Sequence, residues 1–343
     1  MENIAPLTAL KEGFRIRPPS LEDQEAVLEV IHAYSMKLLG TAELTLEGLQ
    51  TDWTSPGFVP ADDLRIVVSP EGRVVGYIEV WVNHPIPVHP WLWARVHPDF
   101  EGLGIGTALM EWGERRAALV IPSLPKDARV STYTGTISTN QPAHDLLREL
   151  GMSLIRHSFR MRIEMESPPA EPQWPEGITL QTHDGSDEQL QAIYRADYEA
   201  FKDHFGHVDE PFEDGYPQFK HHMVNDEGFD PELMFLAMDG DEIAGVSLCR
   251  KWSWDEKDVG WVRSLAVRRP WRQRGLGLAL LTHTFDAFWQ RGKTKVGLGV
   301  DAENLTGALR LYEKAGMHVH HQFDLYEKEI RPGKELSKTS IED

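Results

Sequence analysis

The chain has 343 residues, more than one average domain and enough for two, each able to bury its own core. Its 41% hydrophobic and 26% charged residues are those of a globular protein, with no apolar run near the roughly 20 residues a membrane helix needs. A formal net charge of −19 repels nucleic acid and anionic lipid, so neither is expected as a partner, and a phosphorylated ligand would need a local positive field.

Met1-Glu-Asn-Ile-Ala-Pro6 has neither the basic and apolar regions of a secretory signal nor an Arg-rich transit pattern. The single cysteine, Cys249, excludes an intramolecular disulfide, and the two features together suggest a cytoplasmic setting.

In chain order, residues 21–39 read as a helix, and the turn Pro70-Glu-Gly72 leads into the strand Val74-Val-Gly-Tyr-Ile-Glu-Val-Trp81. Gly104 and Gly106 then stand between a strand and a helical pattern, and Asn140-Gln-Pro-Ala-His-Asp-Leu-Leu-Arg-Glu-Leu-Gly151 closes the first half. After the proline-rich stretch 167–177 the same landmarks return. Gly245 follows Gly76 by 169 positions, Gly275 and Gly277 follow Gly104 and Gly106 by 171, and Asn304 follows Asn140 by 164. Four landmarks in one order at nearly one offset mark an internal repeat.

Helices alternating with short strands give an α/β (α+β) class, two tandem folds of a mixed sheet flanked by helices. The expected boundaries are 1–166 for the first domain, 167–177 for a linker, 178–330 for the second domain and 331–343 for a loose tail. Cys249 lies in an apolar strand-like run and is expected to pack there.

In the second copy the strand Trp261-Val-Arg-Ser-Leu-Ala-Val267 leads through Arg268-Arg-Pro-Trp-Arg-Gln-Arg-Gly-Leu-Gly277 into a helix. Glycines at a strand-to-helix turn let a ligand approach the backbone, and the first N–H groups of the helix point at it. Arg263, Arg268, Arg269, Arg272 and Arg274 fall around this turn with no acidic residue among them, the positive field that a phosphate requires. The dinucleotide fingerprint fails for want of a third glycine, and the phosphate loop of nucleotide triphosphatases fails for want of Gly-Lys-Ser/Thr.

The strand ending at Val267, Arg272-x-x-Gly275-x-Gly277, and Asn304-Leu-x-x-Ala-Leu-x-Leu-Tyr312-x-Lys-Ala-Gly316 together resemble the GNAT superfamily of acyl-CoA-dependent N-acyltransferases, in a tandem form. The resemblance implies a splayed mixed sheet with acetyl-CoA entering where two parallel strands part. It assigns the backbone of Arg272, Gln273, Arg274, Gly275, Leu276 and Gly277 to the pyrophosphate. Main-chain groups of Leu265, Ala266 and Val267 fall to the pantetheine arm, one of them serving the oxyanion, and Asn304 to the cofactor side.

Acylation of an amine by a thioester needs a neutral amine, a stabilised oxyanion and a proton for the departing thiolate. By resemblance Tyr312 is the general acid, and a phenol of pKa about 10 is protonated at neutral pH. For the general base Asp301, Asp203, His204, His207 and a water chain all stay open. No metal is expected, since the adjacent pairs His221-His222 and His320-His321 do not share a face.

The first copy has Glu101 where the second has Arg272, with Asp99 nearby, and Leu147 where the second has Tyr312. It is expected to be catalytically silent. The expected function is acetyl transfer to a primary amine of a small molecule or peptide. The alternative is a non-catalytic sensor of acyl-CoA.

Overall fold

The computed structural model describes residues 10–303 and 307–339, and they fall into two compact units. The first comprises the chain through Arg156 together with Phe323–Leu336, and the second His157–Gln322 together with the residues from Ser337.

In the first unit the order is β1 (Arg15–Arg17), α1 (Gln24–Leu39), α2 (Leu46–Trp53), α3 (Pro60–Asp63), β2 (Leu64–Val68), β3 (Val74–Trp81), β4 (Trp91–Val96), α4 (Ile105–Ala118), β5 (Val130–Ile137) and α5 (Gln141–Glu149). Strands β1 to β4 pair antiparallel in sequence, and β4 meets β5 in parallel at the single pair Trp91–Tyr133. One face packs α4 through Ile105 and Leu109, and the other packs α1 and α2 through Val27, Val30, Ile31 and Leu49.

The second unit repeats the plan after β6 (Ser153–Glu164), with β7 (Ile178–Thr182), α6 (Asp187–Phe201), α7 (Phe212–Val224), β8 (Met234–Asp239), β9 (Glu242–Arg250), β10 (Val259–Val267), α8 (Leu276–Gln290), β11 (Lys295–Asp301) and α9 (Ala308–Lys314), and β12 (His318–Arg331) passes from it into the first unit at Phe323. Strands β7 to β10 are antiparallel, and β10 and β11 are parallel. Ser186 caps α6 by accepting the Gln189 N–H, and Asp187 and Glu188 suit the positive end of its dipole. Helices α6 and α7 bury Leu190, Ile193, Tyr194 and Met223 on one face of the sheet, while α8 buries Leu280, Leu281, Phe285 and Phe288 on the other.

The seam differs from the expected linker at 167–177. That stretch is irregular, as its prolines require, but it lies inside the second unit. The physical reason is strand pairing. Residues 158–164 of β6 bond antiparallel to β11, and β12 from Phe323 bonds antiparallel to β5, so the unit boundary follows hydrogen-bond ladders and not composition. The stretch from 331 is likewise tied down. Lys334 exchanges backbone bonds with Asp127 and Arg129 in the first unit, and Lys338 exchanges them with Gly206 and His207 in the second.

Candidate active site

The site of the second unit starts where its parallel strands part. Ladder pairing between β10 and β11 ends at Val262–Leu298, although β10 continues to Val267 and β11 stays paired with β6 on its other edge through Asp301. Among the described residues the β11-facing edge of 264–267 has no ladder partner; Leu265 and Val267 are half-buried there and Ala266 is buried.

At the same point the ladder with β9 slips between Val262 and Ser264, a β-bulge at Arg263. A bulge places two successive residues on one face. Arg263 accordingly reaches the His222 carbonyl at 2.8 Å and Asp226 at 3.3 Å, and Ser264 donates its hydroxyl to Asp197 of α6. Val262 and Leu265 pack on the α8 side and Ala266 on the α6 side.

Beyond Val267 a 3-10 turn at Arg269–Trp271 leads into the glycine loop. Gln273 takes a φ of 59° and Gly275 one of 85°, so the chain turns twice through left-handed conformations before α8. The first backbone bond of the helix is donated by Ala279 to Gly275. The N–H groups of 273–278 meet no acceptor among the described residues, so this row of donors, at the positive end of a 15-residue helix, suits a pyrophosphate.

The arginines are arranged otherwise than their clustering suggests. Arg272 donates to Asp203 at 2.7 Å, to the Ala200 carbonyl at 2.9 Å and to its own strand's Val267 carbonyl at 2.9 Å. Arg269 also pairs with Asp203, Arg268 with Glu199 and Glu242, and Arg263 with Asp226. Only Arg274 of the five makes no hydrogen bond or ion pair among the described residues. The carboxylates come from α6, from the segments just after α6 and α7 and from the start of β9, and they turn most of the arginine cluster into a clamp on the loop.

That pairing removes one candidate base. Hydrogen bonds from Arg269 and Arg272 hold the Asp203 carboxylate well below its usual range, which leaves it a poor proton acceptor. His204 is kept neutral by burial and the nearby Arg272, and lies against the Phe201 ring beside the loop. His207 pairs with Asp209 at 3.3 Å, and Asp301 accepts the Glu303 N–H.

Tyr312 sits on α9, buried in the core cluster with Val300 and Leu276, and burial pushes its phenol up to about 12. Its neighbour Leu311 approaches Gly277 so closely that a Cβ there would meet Leu311 Cδ1 at 3.0 Å, which ties α9 to the loop helix. Asn304 lies outside the described residues. Cys249 is buried, its thiol pushed up to about 12 by burial, and it is a packing residue. The proline-rich segment, α8 and the end of α9 line a cavity of about 490 Å³, with Pro168, Pro169, Thr282 and Lys314 in its wall and Leu278 the one residue it shares with the donor row.

Two site features escaped the sequence reading, and each left a signal. Asp197 occupies the apolar stripe Leu190, Ile193, Tyr194, Asp197 of an amphipathic helix, where a charge is out of place. The bulge is recorded in the repeat offset, which is 171 between Val96 and Val267 but 170 between Trp91 and Trp261.

A splayed parallel pair, a bulge at its vertex and a donor-lined turn into the next helix are the features of an acyl-CoA-dependent transferase. The family model "Acetyltransferase (GNAT) family" matches 41–152 and 188–317, most of both halves, and the chain belongs to that family. It is an acyltransferase enzyme of tandem build. The chain is 28% identical over 273 residues to a mycothiol acetyltransferase of Streptomyces scabiei, covering 79% of this chain and 82% of the relative. A mycothiol acetyltransferase of Thermobispora bispora is 31% identical over 225 residues, 64% of this chain and 70% of its own. Among solved structures, a GCN5-related N-acetyltransferase from Sphaerobacter thermophilus superposes with a TM-score of 0.78 at 34% identity, over 96% of this chain and 100% of that one. A tandem GNAT protein from the clavulanic acid biosynthesis pathway, at a TM-score of 0.70 and 15% identity over 94% of this chain and 100% of its own, shares the fold.

Proposed function

We propose that the second unit transfers an acetyl group from acetyl-CoA directly to a primary amine of a small molecule, with Tyr312 as general acid. The observation that carries this reading is the coincidence, in one unit, of the parted β10 edge, the donor row of 273–278 and a phenol that stays protonated.

The row of N–H groups from Gln273 to Leu278 holds the pyrophosphate, and Arg274 adds a charge-assisted contact worth about 1.5–3 kcal/mol. The open edge at Leu265 to Val267 takes the pantetheine amides as a strand would, and a β10 N–H there faces the carbonyl oxygen as negative charge develops on it. The amine attacks the thioester carbon, the C–S bond breaks, and Tyr312 delivers its proton to the departing thiolate. Asn304 is assigned to the cofactor side by its place in the family pattern.

The relatives named mycothiol acetyltransferases favour a small acceptor molecule. A cationic amine also suits the chain's −19 charge and the acidic stretch Asp209-Glu-Pro-Phe-Glu-Asp214. The test is thiol release from acetyl-CoA across a panel of amine classes. Release dependent on one class is expected. Release that is independent of amine, or of equal rate in Tyr312→Phe, sinks the mechanism.

A further inference from the structure

We infer that Asp197 is the general base of the second unit, accepting the proton of the attacking amine. This rests on the acyl-transfer reading above and names the group that reading leaves open.

Position comes first. Asp197 is half-buried on α6 and accepts a hydrogen bond from Ser264, the residue on β10 immediately after the bulge. The last β10 residue paired with β11 is Val262, so Ser264 lies just past that pair, across the bulge residue Arg263. The carboxylate therefore stands at the vertex of the parted strands, one residue from the main chain assigned to the thioester end, on the face opposite the α8 core.

Chemistry comes second. Desolvation lifts the carboxyl to about 6, opposed by the Ser264 hydrogen bond and the charge of Arg263. Asp197 in turn bears on Tyr194, one turn earlier on α6, whose phenol is driven up by burial, by Glu210 and, less, by Asp197. Arg263 is itself shared with Asp226 and the His222 carbonyl, so it does not close an ion pair on Asp197. A carboxylate with a pKa just below neutrality is ionised at working pH yet basic enough to take a proton.

The first unit supplies a control. Its α1 stripe, Val27, Val30, Ile31, Tyr34, puts Tyr34 at the position of Asp197, and β4 runs against β3 without a register slip. Trp93 stands where Ser264 does and Arg95 where Ala266 does, and the Arg95 guanidinium lies 3.8 Å over Trp93 and 4.6 Å over Tyr34. The base, its hydroxyl partner and the space beside them are absent together.

In the step proposed, the amine nitrogen bonds to the thioester carbon while its N–H proton passes to an Asp197 oxygen. The C–S electron pair leaves with sulfur, which takes the Tyr312 proton; Asp197 then releases its proton to solvent and the Tyr312 phenolate takes one up.

The experiment is the pH profile of kcat/KM for acetyl transfer from acetyl-CoA to the best amine of the panel, with acetyl-CoA affinity measured by calorimetry. Asp197→Asn is expected to lower kcat/KM about 100-fold and to abolish the limb near pH 6, with acetyl-CoA affinity unchanged. Ser264→Ala should move that limb to higher pH, because the hydroxyl favours the charged form. Thermal melting separates this role from a tether. Raising a carboxyl's pKa on folding contributes stability at low pH that is lost as pH rises through about 6, so Asp197→Asn should melt no lower than wild type at pH 8. Wild-type transfer with an Asp197→Asn variant within twofold, or one that retains the limb, overturns the base alone. Wild type that binds acetyl-CoA but transfers to no amine overturns the reading beneath it as well.

Discussion

The two units use one plan and diverge along a single line, the splay of the parallel strands. Both carry a left-handed glycine before the loop helix, Gly104 at 81° and Gly275 at 85°, and in both the N–H groups that follow lack acceptors among the described residues. The turn that suits an anion is thus common to both. What differs lies beside it: a bulge against a continuous ladder, Asp197 and Ser264 against Tyr34 and Trp93, and Tyr312 against Leu147. In the first unit the space is filled by a stacked cation and a buried chain of hydrogen bonds from Trp53 through Tyr77 to Glu79. A fold can keep its backbone turn and lose its chemistry by packing side chains where a substrate would lie.

The loop position that looked like a reversal of charge toward phosphate teaches something else. Arg272 pairs with Asp203 just after α6, and Glu101 pairs with Lys37 near the end of α1 at 2.6 Å. Each is a tether from the loop to the first helix of its unit, with polarity exchanged. An ion pair satisfied within its own unit says little by itself about which loop binds phosphate.

The comparison breaks most sharply at the bulge. Deleting Arg263 should give β10 the continuous register of β4 and lower kcat/KM by ~10³ or more, with cooperative thermal melting retained. A variant keeping a tenth of wild-type activity would detach the bulge from catalysis.

Next in size is Tyr312→Phe, expected to lower kcat by about 10²–10⁴ with acetyl-CoA affinity within about twofold. Leu147→Ala should leave the rate unchanged. Since burial holds the Tyr312 phenol at about 12, wild-type transfer should not fall between pH 8 and 10 through its ionisation, and a loss there would count against Tyr312 as the acid.

A charge swap probes the tether. Asp203→Ala should weaken CoA binding about tenfold by loosening the loop, in line with about 1.4 kcal/mol per factor of ten. The pair Arg272→Asp with Asp203→Arg should regain part of that loss in calorimetry if Arg272 acts on the loop, and none if its guanidinium binds phosphate. Lys37→Ala, the corresponding cut in the first unit, should change binding less than twofold.

The smallest effect is expected at Cys249. Cys249→Ala should cost on the order of 1 kcal/mol in denaturant unfolding and leave transfer intact. Loss of activity without loss of stability would return the thiol to consideration as a nucleophile.

Sequence alone determined the repeat, the class of fold and the location of the glycine turns, because these depend on local periodicity and on backbone conformations that few residues adopt. It also exposed the missing tyrosine of the first copy. Tertiary structure decided where the units divide, since strand ladders join residues such as Phe323 and Ile137 that lie far apart in the chain. It decided the state of the arginines too, because the carboxylates that neutralise them, Asp203, Glu199 and Asp226, arrive from other elements. Asp197 shows the limit most clearly. A charge in an apolar helical stripe is visible in one dimension, but only the bulge on β10 decides that it faces the parted strands.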